Sequence, residues 1–128
     1  MKQARKILDT WLDKLRANDL DGVIAMYAPG SVLLPTFSPH RIATPAALRD
    51  YFAALVARDQ LTVTVHEESL RIIPIAGSSA TLVGIYSFSF VVDDTTLTFP
   101  SRFTFVIDTA AEAPILHHHS SQVPRTLS

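Results

Sequence analysis

The sequence predicts an α+β domain in which helices cover one face of a curved, antiparallel or mixed β-sheet. Apolar residues recur at helical spacing between Ala4 and Val56, and from Leu61 onward the period changes to two. No repeat or low-complexity tract interrupts the 128 residues, a length that suits one domain. We therefore expect one domain over residues 1–128, with a cone-shaped sheet, three helices from the N-terminal half packed on its concave face, and a pocket between the two layers.

The N-terminal half predicts three helices and one short strand. The apolar face of the first helix consists of Ala4, Ile7, Leu8, Trp11, Leu12 and Leu15. Asp19 is a suitable N-cap for a short second helix, which Pro29-Gly30 is expected to end before a strand over 31–35. Thr44 as N-cap and Pro45 at the first helical position indicate the start of a third helix. Its apolar face is expected to consist of Leu48, Tyr51, Phe52, Leu55 and Val56.

The C-terminal half predicts only strands. They are expected over residues 61–75, 80–92, 97–107 and 115–120. The first contains a candidate bulge at Glu67-Glu68, and Asp93-Asp94 is expected in the hairpin that joins the two long strands. Pro100 cannot donate a ladder hydrogen bond, so we expect it at a bulge, at a bend or at the edge of its strand.

Composition excludes several classes of partner. The 11 Lys and Arg residues nearly balance the 12 Asp and Glu residues and form no basic run, so no nucleic-acid partner is expected. The chain has no cysteine, which excludes disulfides, thiolate metal sites and a cysteine nucleophile, and favours a cytoplasmic location. No apolar run has the length of a signal peptide or a membrane span, so no membrane partner is expected.

Three segments resemble a known family. They are Leu34-Pro35-Thr36, the stretch from Ala47 to Phe52, and the stretch from Ile115 to Pro124 with its His-x-His-Ser-Ser-x-x-Pro pattern. Together they resemble the association, or hub, domain of calcium/calmodulin-dependent kinases and its bacterial stand-alone relatives among the SnoaL-like proteins. The resemblance implies the nuclear-transport-factor-2-like, cystatin-like fold, with self-association and a ligand pocket.

The chain also departs from these relatives. Hub domains carry arginines that face the pocket, and by resemblance only Arg102 is retained, while Tyr86 or Ile85 replaces another. Related isomerases place a catalytic carboxylate just before the proline of the first strand, and Leu34 stands there in this chain. The resemblance therefore implies a weaker anion site than in the hubs and no isomerase base.

Five residues outside the histidine run are candidate ligand contacts. Arg102 lies among phenylalanines, so it must either bind a carboxylate or a ligand anion, or be exposed on the outer face. A tyrosine can bring an apolar ring and one hydroxyl to a pocket wall, although core packing is the alternative for each. These tyrosines are Tyr27, Tyr51 and Tyr86. Thr36, with His40, lies in the loop after the first strand, where the lip of the pocket is expected.

The run His117-His118-His119 lies in the last strand, where alternate side chains face opposite sides of the sheet. We expect His117 and His119 to face the pocket and His118 to face a partner subunit. An interface role for all three histidines and a tag remnant are the alternatives. Two same-face imidazoles are too few ligands for a metal ion, so no metal and no cofactor is expected.

Two functional hypotheses follow. The first is a domain that binds an unidentified small molecule in its pocket and forms a homodimer, because residues 81–92 are apolar on both sides of one strand and three helices cannot cover both faces. The second is a small-molecule isomerase, cyclase or dehydratase, with His119 or His117 as base and Tyr51 or Tyr86 as hydrogen-bond donor.

Overall fold

A computed structural model of the chain describes residues 2–124. The helices are α1 (Lys2–Arg16), α2 (Leu20–Ala25) and α3 (Pro45–Val56). The strands are β1 (Tyr27–Leu34), β2 (Thr62–Val65), β3 (Arg71–Pro74), β4 (Ser79–Val92), β5 (Thr95–Asp108) and β6 (Ile115–Gln122). Over this part of the chain, no helix is both long enough and apolar enough to cross a membrane.

The helices begin where the capping residues predict. The Asp19 carboxylate accepts a hydrogen bond from the Gly22 amide at 2.9 Å, and the Thr44 hydroxyl accepts one from the Ala47 amide at 3.2 Å. Each cap pairs one of the backbone amides that the first turn of a helix leaves without a partner.

The Thr44 cap allows a direct test on α3. Thr44→Ala is expected to lower the free energy of unfolding by about 1 kcal/mol, because the Ala47 amide loses its acceptor. Thr44→Ser, which keeps the hydroxyl, should remain close to the parent chain. Urea unfolding followed by circular dichroism measures both variants, and equal losses would show that the hydroxyl is not the source of the effect.

The six strands form one mixed sheet. Five of them follow the order β1-β6-β5-β4-β2, and β3 also pairs with β4. Only β1 and β6 pair in parallel, and the other pairs are antiparallel. The expected single strand over 61–75 is wrong, because it is divided into β2 and β3, which pair in succession along the same edge of β4. A 3-10 turn at Glu67–Ser69 separates them, and the Ser69 hydroxyl accepts a hydrogen bond from the Ile85 amide at 2.8 Å.

The first strand is longer than expected. Tyr27 begins β1 rather than ending α2, and Pro29-Gly30 lies within β1. The pairing with β6 is irregular between Tyr27 and Val32, and Gly30 has a φ of 81°, where a residue without Cβ is favoured. The proline and glycine therefore distort a strand here instead of ending a helix.

The two long strands form the hairpin that the sequence predicts. Asp93 and Asp94 connect β4 and β5 with φ values of 49° and 62°, a left-handed pair typical of two-residue hairpin turns. Pro100 lies at the end of the β6 pairing, and its carbonyl accepts a hydrogen bond from the Val123 amide just beyond β6. Pro100 is nevertheless paired with Ser87 within the continuous β4–β5 ladder, so the expected edge position is wrong.

The core lies between the helices and the concave face of the sheet. Trp11 of α1 stacks on Tyr86 of β4 with ring centroids 5.6 Å apart and contacts Phe105 of β5 edge-on at 5.3 Å. The largest fully buried side chains of the described residues are Trp11, Tyr86, Phe52, Phe105, Leu8 and Leu15. In residues 2–124 the helices bury their apolar sides in this one core, which leaves the outer face of the sheet without a helix over it.

Candidate functional site

The centre of the concave face is occupied by the imidazole of His118. This residue is 2% exposed, and its ring stacks on Phe105 with centroids 3.8 Å apart. Its Nδ1 lies 2.8 Å from the Tyr27 hydroxyl, and its Nε2 lies 3.0 Å from the Tyr86 hydroxyl. Both ring nitrogens therefore have partners inside the core.

The hydrogen bonds around His118 form one directed chain. Trp11 Nε1 donates to Tyr27 at 3.1 Å, and the Tyr86 hydroxyl donates to Ser120 at 2.6 Å. Because the proton of Tyr86 points to Ser120, Tyr86 accepts from His118 Nε2–H, and His118 Nδ1 accepts from the Tyr27 hydroxyl. A neutral imidazole protonated on Nε2 satisfies every member of this chain.

The polar chain continues towards the loop after β1. The hydroxyls of Ser120 and Thr36 are hydrogen bonded to each other, and Thr36 also donates to the Ser101 hydroxyl at 3.4 Å. Among residues 2–124, every buried side-chain nitrogen and oxygen has a hydrogen-bond partner. The interior thus contains one continuous chain of polar side chains, and each polar group in this chain has a hydrogen-bond partner.

Burial keeps the site uncharged near neutral pH. Burial, with smaller contributions from His117 and His119, holds the pKa of His118 well below its usual range. Burial likewise raises the pKa of Tyr27 and of Tyr86 well above the usual value for a phenol. These groups are therefore hydrogen-bonding partners rather than charges.

A small cavity of about 10 Å³ lies beside this network. Its lining comprises Trp11, Leu33, Pro35, Tyr51, Phe52, Leu55, Tyr86, Phe88, His118 and Ser120. A volume near 10 Å³ admits one water molecule at most. Burial raises the pKa of Tyr51 to about 12, against smaller opposing effects of the Phe37 backbone and the Arg58 guanidinium.

The structure reverses the expected orientation of the histidine run. His118, which we expected to face a partner subunit, points into the core, whereas His117 and His119 lie on the outer face. His117 Nδ1 donates to the Val32 carbonyl at 2.7 Å, and His119 is exposed. Arg102 is exposed on the same outer face. The interior thus brings together Tyr27, Tyr51, Tyr86 and Thr36, but not the predicted arginine or the two predicted histidines.

A β-bulge explains the reversal. The adjacent residues Ile107 and Val106 of β5 pair with Ile115 and His117 of β6, respectively. Leu116, between these two β6 residues, is therefore the extra residue of the bulge. Ile115 is fully buried, and regular alternation from it would turn His117 and His119 inward. The bulge shifts the parity by one position, so that His118 and Ser120 point inward instead.

His118, Ser120 and Trp11 were not among the predicted site residues. The sequence signals for Ser120 are its place in the His-x-His-Ser-Ser-x-x-Pro pattern and the small polar residues that follow the histidines near the end of a strand, and neither signal specifies a face. Trp11 stood out only as an apolar residue on the buried side of α1. Their roles in the hydrogen-bond chain follow from the tertiary structure, which places β1, β4 and β6 around the His118 ring.

An open groove of about 340 Å³ lies where the parallel strands β1 and β6 end. It brings together the two predicted lip residues and His119. Its lining comprises Leu34, Pro35, Thr36, Ser38, Pro39, His40, His119, Ser120, Ser121 and Gln122. Within the described part of the chain, three or more His, Cys, Asp or Glu side chains do not cluster as metal ligands.

Comparison with known proteins places these features in a family. The model of the calcium/calmodulin dependent protein kinase II association domain matches residues 2–124. A structure from Xanthomonas campestris that is assigned to this association domain has a TM-score of 0.85 and 26% identity, covering 96% of this chain and 87% of its own. Comparison with curated protein sequences finds no match.

Two more distant structures share the fold. The S. rosetta CaMKII hub has a TM-score of 0.76 and 20% identity, with 95% of each chain covered. An NTF2-like protein with a cystatin-like fold from Novosphingobium aromaticivorans has a TM-score of 0.77 and 10% identity, covering 98% of this chain and 83% of its own. The resemblance stated from sequence and the predicted fold class are both confirmed.

Proposed function

This chain belongs to the calcium/calmodulin dependent protein kinase II association domain family, and we propose from this premise that it self-associates as a homodimer through the outer face of its sheet. The S. rosetta relative is itself a hub, which supports self-association as the shared property. The observation that carries the proposal is the outer face of β3, β4 and β5, which presents Ile73, Val83 and Val106 and over which the described residues place no helix.

The centre of this face carries apolar side chains and threonines in two neighbouring rows. Val83 of β4 pairs with Thr104 of β5, and one row away Thr81 pairs with Val106. Ile73 of β3 pairs with Thr81 on the same face and is 51% exposed. Apolar side chains that lie together on one uncovered sheet face are a candidate interaction surface.

A second copy of the same face is the occupant that best matches this surface. A twofold interface uses one patch on both subunits, so an apolar centre meets an apolar centre. The more polar residues surround that centre, as in the rim of a protein interface. They include Arg71, Arg102, His117, His119 and Ser121.

Light scattering tests the proposal directly. At micromolar concentration the untagged chain is expected to have a mass near twice 14.1 kDa. Val106→Asp should raise the dimer dissociation constant by about 30-fold or more, because a carboxylate at the interface centre is desolvated without a partner. Thr98→Asp, on the same face but at the far exposed end of β5, is the matched control and should leave the mass unchanged. A parent chain at the monomer mass would refute the proposal.

Small-molecule binding between sheet and helices is the second part of the proposed function. Tyr51, Tyr86 and Ser120, three residues that carry hydroxyls, are among the residues that line the small cavity between sheet and helices. Its present volume of about 10 Å³ leaves no room for a ligand larger than water. Binding therefore requires a side chain to move.

The catalytic alternative receives less support from this geometry. The histidines named as candidate bases, His117 and His119, lie on the outer face. The histidine that does reach the cavity, His118, has both ring nitrogens engaged with tyrosines. A general base needs a free ring nitrogen that faces the substrate, and the His118 imidazole offers none.

A further inference from the structure

The loop after β1 places one aromatic side chain in a slot made of others. The Phe37 ring contacts Phe88, Phe90 and Phe99, with centroids 5.3, 5.7 and 5.2 Å away and interplanar angles of 73°, 69° and 86°. Edge-to-face contacts at these centroid distances are favourable between aromatic rings. Phe37 occupies this slot although it belongs to no helix or strand.

The slot borders the small cavity beside His118 and shares Phe88 with it. Phe88 and Tyr51 line the cavity, while Phe88 also contacts the Phe37 ring and the Tyr51 hydroxyl faces the Phe37 backbone. Pro35, two residues before Phe37, lines the cavity as well. Removing the Phe37 ring would therefore join its own volume to the cavity and open a passage towards the Tyr86 and Ser120 hydroxyls.

The backbone around Phe37 is anchored on both sides, and the Phe37 backbone is itself hydrogen bonded to the Tyr51 hydroxyl. Thr36 is hydrogen bonded to Ser120, and Ile42 exchanges two backbone hydrogen bonds with Leu33 at 2.8 and 2.9 Å. Phe37 lies between these anchors and is half-buried rather than enclosed. Rotation of this one side chain, with the backbone in place, would empty the slot.

We propose that Phe37 is an internal occupant of a binding pocket for a one-ring aromatic molecule bearing a hydroxyl group. The ligand ring takes the slot between Phe88, Phe90 and Phe99, and its hydroxyl turns inward to Tyr51. Phe37 competes with the ligand, so the apparent association constant is the intrinsic one multiplied by the fraction of time that the slot is empty. This inference rests on the small-molecule part of the proposed function and is independent of dimer formation.

The experiment compares the binding of p-cresol and toluene by titration calorimetry. Phe37→Ala is expected to bind p-cresol at least about tenfold more tightly than the parent chain, because the competing ring is gone. Leu20→Ala removes a half-buried apolar side chain in α2, away from the slot, and should bind as the parent does. Adding Tyr51→Phe to Phe37→Ala should abolish the preference for p-cresol over toluene and leave toluene binding unchanged.

Circular dichroism and light scattering accompany each titration. A folded Phe37→Ala variant that binds neither probe more tightly than the parent would overturn the inference. Phe37→Leu provides the same test with a smaller perturbation and should show a weaker gain in affinity, and its failure to show any gain would count equally against the inference. The slot lies away from the outer face. A Phe37 variant with an unchanged dimer mass and no gain in affinity for p-cresol would therefore reject the pocket and leave the dimer proposal intact.

Discussion

His118→Ala is expected to lower the free energy of unfolding by about 3–4 kcal/mol, a large share of the stability of a domain of this size. The change removes a ring from a position that is 2% exposed and leaves a cavity against Phe105. It also takes the acceptor from the Tyr27 hydroxyl and the donor from Tyr86, two groups that have no access to water. Urea unfolding of the parent and the variant measures the difference.

His119→Ala is the matched control for this prediction. The same residue type is removed one position along β6, but on the exposed outer face, where a change within about 0.5 kcal/mol is expected. The sequence alone had indicated the opposite division, with His119 in the pocket and His118 at the interface. Equal losses for the two variants would contradict the buried position of His118.

Stability is also expected to fall as the pH is lowered below the ordinary histidine pKa of about 6.5. The unfolded chain takes up a proton on His118 in this range, but the folded chain resists it because burial holds the pKa of His118 well below that value. The unfolded state therefore binds more protons, and the free energy of unfolding decreases with a slope that approaches about 1.4 kcal/mol per pH unit. The loss continues until the pH reaches the lowered pKa of the folded state.

The directed hydrogen-bond chain gives the structural reason for this sign. A protonated His118 would carry a proton on Nδ1 that has to be donated to the Tyr27 hydroxyl. In the neutral state the Tyr27 hydroxyl donates its own proton to Nδ1, so the two protons would conflict. Urea unfolding between pH 7 and pH 5, above the range in which most carboxylates titrate, measures the slope. His118→Gln should remove most of this dependence, whereas His119→Gln should retain it. A parent chain with constant stability across this range would refute the prediction.

The order of helices and strands could be predicted from local features of the sequence. The apolar spacing around Trp11 defines α1, and the caps Asp19 and Thr44 mark the starts of α2 and α3. The aspartate pair at 93–94 marks the hairpin, because few residues adopt left-handed backbone conformations. These features depend on neighbours within a few positions, so they can be recognised without the fold. The three segments that resemble the kinase association domains added the family.

The face that each side chain of β6 presents was decided only by the tertiary structure. A bulge at Leu116 shifts the alternation by one residue and exchanges His118 with its two neighbours. Whether a strand bulges depends on its pairing with strands distant in sequence, here β5 and β1. No local sequence pattern around Leu116 indicates the bulge. The small size of the cavity likewise results from Trp11 and Tyr86, 75 positions apart in the chain but stacked in the core. Local spacing determines which residues form a helix or strand, whereas packing between elements determines which of them form a site.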